Sequence, residues 1–213
     1  MNTSFDNETV RGLSITAATN EDVNFAPIGL CFGEVGVAGV VATTVANSTT
    51  RAKVGSNTTI NDDLTGADDA QDVRMLAKSN TTLNNISSGI SAGGVAVSLD
   101  IDTQVFTKRV ETIVGDNVTM KAKQNVILEA DSTDRVYQTM VSVAGGANAV
   151  GGIVGVSVIG NDVRSEVGDD ATLRAGDNLT VQSDQEMHLV QTAGNVSVGF
   201  GGPGIGTSLG VLV

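Results

Sequence analysis

Apolar and polar residues alternate with a period of two along much of this 213-residue chain. One five-residue pattern, with apolar first and third positions and a small fifth position, occurs four times, at residues 13–17, 73–77, 126–130 and 179–183. A period of two is typical of a strand with one buried face. No segment shows the i, i+3, i+4, i+7 stripe with caps that predicts an amphipathic helix. The pattern therefore predicts an all-β protein.

The segment from Val95 to Asp102 alternates in the same way. Its apolar positions are Val95, Val97, Leu99 and Ile101, and the intervening positions are Ala96, Ser98, Asp100 and Asp102. We expect the apolar set to face the core and the two aspartates to lie on a solvated acidic face. Because residues i and i+2 of a strand project together, the alternative is a carboxylate pair of the kind some polysaccharide-cleaving enzymes use.

The chain also repeats itself. Residues 119–139 align without a gap to residues 172–192, at an offset of 53, and VGDN at 114–117 recurs as VGDD at 167–170. An earlier copy, VGSN, begins 60 residues upstream at Val54. We divide the chain into a single repeat array, and we expect it to be a fragment of a longer protein. Its parts are a partial module 1–23, modules 24–90, 91–140 and 141–194, and a partial module 195–213.

A repeated unit of short strands and tight turns predicts a right-handed parallel β-helix (β-solenoid) built from modules of about 53–60 residues. Equivalent side chains then stack in ladders about 4.8 Å apart. Such a narrow interior suits Val, Ile, Leu and Ala better than large rings, which agrees with 3% aromatic residues and 26 glycines. With roughly 20 to 30 residues per coil, we expect two or three coils per module. Glycines such as Gly93 and Gly94 are expected where backbones pack closely.

Module length differs between copies, and insertions in repeat folds fall in loops. Twelve residues separate Ile60 from Val73, where the next module has five. The insertion carries five aspartates, which we predict to form a protruding partner-binding loop: Asp62, Asp63, Asp68, Asp69 and Asp72. Calcium binding is the alternative, since Ca²⁺ prefers oxygen ligands, although the spacing fits no EF-hand. A second insertion is expected near residues 102–107.

Charge and rare residue types exclude several functions. The net charge of −12 argues against nucleic acid as a partner, and we expect no membrane insertion by this segment. Cys31 is the only cysteine, so no intrachain disulfide can form. His188 is the only histidine, and Arg135 stands one module earlier, so both fit an outward polar position. We predict no catalytic residue, no cofactor, no metal site and no enzymatic activity.

Glycine-rich stretches such as AGGVAVSL and VGGIVGVSVIGN, followed by VGDDATLRAGDNLTVQSD, carry a resemblance over essentially the whole chain. They resemble the repeat regions of filamentous-haemagglutinin-like large exoproteins, which are secreted bacterial adhesins. The resemblance implies an extracellular β-helical stalk at the bacterial cell surface, presenting loops to a host or bacterial surface glycan or protein.

Two other functions remain open. A self-assembling extracellular fibre, formed by end-to-end stacking of β-solenoid copies, is the alternative because the ends of such a stack have unpaired strands. A polysaccharide-degrading β-helix enzyme comes third.

Overall fold

A computed structural model describes residues 11–213, and all regular structure in that range is β. The expectation of an all-β protein is confirmed. The strands are β1 (Gly12–Phe25), β2 (Ile28–Val54), β3 (Thr59–Ile60), β4 (Asp72–Val114), β5 (Thr119–Ala122), β6 (Val126–Val167), β7 (Thr172–Ala175), β8 (Leu179–Gly199) and β9 (Gly204–Leu212).

All the strand pairings within residues 11–213 are parallel. The larger sheet has the order β1-β4-β6-β8, with β2 beside β4 and β9 beside β6, and the smaller sheet has the order β3-β5-β7. The strands therefore stack as four layers, which are β1 to β3, β4 with β5, β6 with β7, and β8 with β9. The first two layers pair at an offset of 60 residues, as Val54 with Val114, and the next two at 53, as Val114 with Val167.

These offsets correct the expected size of the repeat. Each layer takes a whole module of 53 or 60 residues, so the estimate of 20 to 30 residues per coil was wrong. The second expected insertion was also wrong, because the pairing of β4 with β6 keeps one register through Asp102↔Gly155 and Thr107↔Gly160. The first insertion is confirmed as a loop, since β3 ends at Ile60 and β4 begins at Asp72.

Strand β4 doubles back on itself at Gly93 and Gly94. Asn85 donates to Asp102 at 2.8 Å, Ser87 donates to Asp100 at 2.9 Å, and Lys108 Nζ lies 3.1 Å from the Ser79 carbonyl oxygen. These three pairs are symmetric about the Gly93–Gly94 bond. The two halves of the strand therefore face each other through their side chains, while their backbones pair with the layers above and below.

The apolar core lies at the open end of each doubled strand, where β5 closes the section. Its buried cluster is Val54, Val73, Met75, Val114, Val118, Met120, Ala122, Val126 and Leu128. The turn that leads into this closure places Asn57, Asn117 and Asp170 at positive φ, one residue per layer. Asn and Asp tolerate that conformation better than other side chains, so the repeated VGSN, VGDN and VGDD motifs mark the turn.

Toward the doubling point the interior becomes polar. Residues with even numbers face inward in the second half of β4, and Ser98, Asp100, Asp102 and Gln104 are all at most 1% exposed. The apolar residues between them face outward, and Leu99 is 43% exposed. The expectation for residues 95–102 was therefore wrong. The unbroken strand carries the inward parity of Val110 and Val114 down to Asp100, and a strand without a bulge cannot change it.

Close backbone contact explains the glycine at the doubling point. A Cβ on Gly93 would lie 2.0 Å from the Gly33 carbonyl oxygen, and one on Gly146 would lie 2.3 Å from the Gly93 carbonyl oxygen. Glycine is thus required at this position in successive layers, as the sequence predicted for Gly93. The search for a helix able to cross a membrane, made over residues 11–213, found none.

Candidate functional site: the acidic loop and the polar interior

The acidic loop between β3 and β4 is an ordered protrusion with Asp62, Asp63, Asp68 and Asp69 exposed. Asp63 accepts hydrogen bonds from the backbone N–H and the hydroxyl of Thr65, and these bonds lower the pKa of its carboxyl. Asp68 accepts from the backbone N–H of Ala70 at 2.8 Å. Both are Asx-type turns, in which an aspartate holds the backbone two residues on. The loop therefore stabilises its own shape.

Basic residues of the next layer fasten this loop to the sheet. Lys121 Nζ donates to the Asp62 carbonyl oxygen at 2.7 Å, and Lys123 Nζ lies 3.3 Å from Asp69 Oδ1. The fifth aspartate, Asp72, is only partly exposed and accepts from the backbone and side-chain N–H groups of Asn125, both at 2.9 Å. The structure thus places four of the five predicted residues on the loop surface and uses the fifth as a strand anchor.

The five aspartates do not converge on one point. Two hold turns, two meet different lysines, and one belongs to the sheet. Residues 11–213 contain no group of three or more His, Cys, Asp or Glu side chains placed to hold a metal ion. The loop therefore offers separate exposed carboxylates to a partner.

Asp100 and Asp102 lie inside the doubled strand with no measurable exposure, so the solvated acidic face was a wrong expectation. Asp100 accepts from the hydroxyl of Ser87, and Asp102 accepts from the amide of Asn85. Burial raises the pKa of both carboxyls above their ordinary value. For Asp100, the neighbouring charge of Asp102 adds to that rise.

Each of these two aspartates has one carboxyl oxygen without a hydrogen-bond partner, Asp100 Oδ1 and Asp102 Oδ2. The side-chain amide of Gln104 is likewise unpartnered at both its nitrogen and its oxygen. Buried polar atoms without partners destabilise a fold by about 1–3 kcal/mol each. The polar interior is therefore a place of strain, and its closure from solvent keeps a carboxylate pair there from reaching a polysaccharide.

Farther from the doubling point, the interior holds a fully paired ionic group. Lys108 Nζ lies 2.6 Å from Asp134 Oδ1, and both side chains are at most 1% exposed. The other carboxyl oxygen of Asp134 accepts from the hydroxyl of Ser132 and from the amide of Asn161. Burial lowers the pKa of the Lys108 ammonium, and the hydrogen bond to Asp134 opposes that effect. Sequence reasoning missed this pair because its members lie in different modules.

His188 stands on the outer surface, directly beside Arg135 of the preceding layer, as the sequence predicted. Its ring contacts the ring of Tyr137 edge-on, with 5.8 Å between centroids.

A shallow polar cleft of about 520 Å³ crosses three layers on the outer face of the second half of each doubled strand. Asn47, Thr49, Arg109 and Asp162 line it with exposed polar groups. At the third layer, Gly160 leaves open space where a side chain would stand. Sequence reasoning missed this cleft. The available signal was the 113-residue alignment, which brings residues 47–49 into line with 160–162.

Comparison of the chain with family models, with curated proteins and with solved structures found no match in any of the three.

Proposed function

We propose that this chain is a right-handed parallel β-helix that serves as a secreted or surface-exposed stalk or adhesin segment. In this proposal the stacked layers form the stalk, and the loops on its outer surface attach to a glycan or protein of a host cell or another bacterial surface.

The stacking of the layers carries the proposal. Four layers pair in parallel, and the stack has long strands at both faces within residues 11–213, with β1 and β2 at one face and β8 and β9 at the other. Strand edges of this length are templates for further pairing. A segment within a longer array of layers would have both edges covered by its neighbours.

Charge ladders between layers support the role of a rigid stalk. The Glu111 carboxylate has no measurable side-chain exposure and contacts Arg51 of the first layer and Arg164 of the third. Arg164 Nη2 lies 2.6 Å from Glu111 Oε1. An exposed pair contributes little to stability, whereas a network that shields its carboxylate contributes more. This network ties three layers together on the outer surface.

Two features of the outer surface support attachment. The acidic loop presents Asp62 and Asp69 while lysines of the next layer hold its shape. The polar cleft presents amide, hydroxyl, guanidinium and carboxylate groups side by side, which is the mixture that binds sugar hydroxyls through hydrogen bonds.

The alternative is a self-assembling extracellular fibre. In that case, the edge formed by β1 and β2 of one copy pairs with the edge formed by β8 and β9 of the next. The same open edges support this function, and it needs no receptor.

Binding of the purified chain to a glycan array and to host cells tests the adhesin proposal. The variants are Asp62→Asn with Asp69→Asn in the loop, and Gly160→Trp in the cleft. Asp177→Asn with Asp184→Asn removes the same charge from exposed positions elsewhere and is the matched control. We expect loss of binding with a loop or cleft variant and retention with the control.

Binding that neither variant changes would contradict attachment through these two features, and a chain that binds no glycan and no cell would contradict the adhesin function. Electron microscopy of the same preparation separates the alternative, because long unbranched filaments indicate end-to-end stacking, whereas monomers or short rods indicate a stalk segment.

A further inference from the structure

Charge is strongly segregated along the doubled strands. The four stretches around the doubling points, residues 28–50, 86–107, 139–160 and 192–213, contain only three charged residues, Glu34, Asp100 and Asp102. Asp100 and Asp102 are buried, so Glu34 is the single exposed charge of these stretches. The chain has 12 basic and 24 acidic residues in all. We call this part of the molecule the glycine end.

The outer surface of the glycine end is apolar. On the face formed by the second half of each doubled strand, side chains align into outward ladders across the layers. One ladder is Val37, Val97, Val150 and Ile205, the next is Val41, Ile101, Val154 and Leu209, and the third includes Val45, Val105 and Val158. Val41 is 77% exposed and Leu209 is 57% exposed. We call this surface the valine face.

The valine face is larger than the apolar patches that monomers normally carry. Four strands about 4.8 Å apart and eleven residues of about 3.3 Å each give a surface of about 700 Å². The largest apolar patch on a typical monomer covers about 300–600 Å². Two such faces in contact would bury about 1,400 Å² in total, which lies within the 1,200–2,000 Å² of stable protein–protein interfaces.

We propose that the valine face packs against the valine face of a second copy of this chain, side by side, with the stacking axes parallel or antiparallel. Three features select this occupant. The face has no exposed charge to pair with a charged partner. Its ridges, at positions such as Val37 and Val41, alternate with a ladder that has glycine at Gly39 and Gly152, so ridges of one copy enter grooves of the other. A second copy also has the same spacing between layers, so every ridge meets its groove along the stack.

This lateral contact is distinct from the end-to-end stacking of the proposed fibre. Stacking joins strand edges through backbone hydrogen bonds, whereas the valine face joins two sheets through side chains about 10 Å apart. Leu99 lies on β4, an inner strand of the sheet, so a change there leaves both strand edges intact.

Sedimentation velocity of the full chain over a concentration series tests the proposal. An interface of this size gives micromolar or tighter affinity, so we expect dimers or larger species at about 10 μM and monomers after dilution. Leu99→Lys places a charge in the centre of the valine face, and we expect a shift to monomer. Thr107→Lys adds the same charge to an exposed position on the same strand, beyond the valine face, and we expect it to associate as the unchanged chain does.

Val41→Lys guards against misfolding as an explanation, because this side chain is already 77% exposed on an edge strand. Far-ultraviolet circular dichroism checks that each variant remains folded. A chain that stays monomeric at about 100 μM would overturn the proposal, given the affinity expected for this area. Association that survives both Leu99→Lys and Val41→Lys would also overturn it.

Flotation with phosphatidylcholine vesicles supplies a further refutation. A monomeric chain that floats with vesicles and loses this with Leu99→Lys would assign the valine face to lipid instead of a second copy. Failure of self-association leaves the adhesin and fibre functions standing, since receptor binding and filament formation are measured separately.

Discussion

Removing the carboxylate of Asp134 is expected to destabilise the fold by about 3–5 kcal/mol at neutral pH, the usual cost of leaving one member of a buried ion pair alone. Lys108 Nζ lies 2.6 Å from Asp134 Oδ1 and 3.1 Å from the Ser79 carbonyl oxygen. In Asp134→Ala the ammonium keeps only that carbonyl oxygen. Ser132 and Asn161 lose their acceptor as well.

The stranded lysine can lose its proton, and this sets an upper limit on its cost. Deprotonating a lysine from its ordinary pKa of 10.5 at pH 7 costs about 4.8 kcal/mol, at 1.36 kcal/mol per pH unit. At pH 9 the same limit falls to about 2 kcal/mol. Burial without Asp134 lowers the folded-state pKa, so the unfolded chain binds more protons than the folded one. The stability of Asp134→Ala relative to the unchanged chain therefore rises with pH over this interval.

Urea unfolding followed by circular dichroism at pH 7 and at pH 9 measures this prediction. The double variant Lys108→Met with Asp134→Leu removes both charges, and we expect its stability to match or exceed that of the unchanged chain. Asp69→Ala is the control, because the Lys123–Asp69 pair is on the surface and the Asp69 side chain is 100% exposed. An Asp134→Ala variant as stable as this control, or a penalty that does not shrink at pH 9, would refute the reasoning.

Three further variants test the interior. Because burial raises the pKa of Asp100 and Asp102, the folded state holds more protons, so stability should fall as pH rises from about 4 through the folded-state pKa; urea midpoints across this range should fall less in Asp100→Asn or Asp102→Asn. Gly93→Ala should cost about 1–3 kcal/mol in urea unfolding, since its Cβ meets a carbonyl oxygen, whereas Gly39→Ala, which meets only an atom 3.9 Å away, should change little. Leu128→Ala should cost about 2–5 kcal/mol because it opens a cavity in the apolar core, and a thermal melt without a lowered midpoint would contradict that core assignment.

Sequence alone predicted the features that depend on local pattern and on repetition. The alternation at residues 73–77 identifies a strand, and the buried Val73, Met75 and Ala77 confirm its inward face. The alignment offset of 113 between residues 33–55 and 146–168 equals the pairing register across three layers. Repetition is informative because identical layers must stack in register, so sequence offset and spatial neighbour coincide.

The inward face of residues 95–102 could not be predicted in the same way. Alternation states that two faces exist, but it does not state which of them faces the core. The apolar set of Val95 and Leu99 was assigned inward by composition, whereas the doubling point at Gly93 and Gly94 sets the parity of everything that follows. The coil length failed for a related reason, since a 43-residue strand that doubles back contains two sides of the section without a break in the pattern.

The placement of charge and apolar surface follows from the same parity. At the open end of each doubled strand, an apolar core lies inside and charge ladders such as Arg51 with Glu111 lie outside, which is the ordinary arrangement for a protein in water. At the glycine end the arrangement is inverted, with Asp100 inside and Leu99 outside. Because the two ends share every strand, the open end stabilises the glycine end, which could not bury enough apolar surface to fold alone. The apolar area left outside on the valine face is then free energy available for association, and a second copy recovers it in full register.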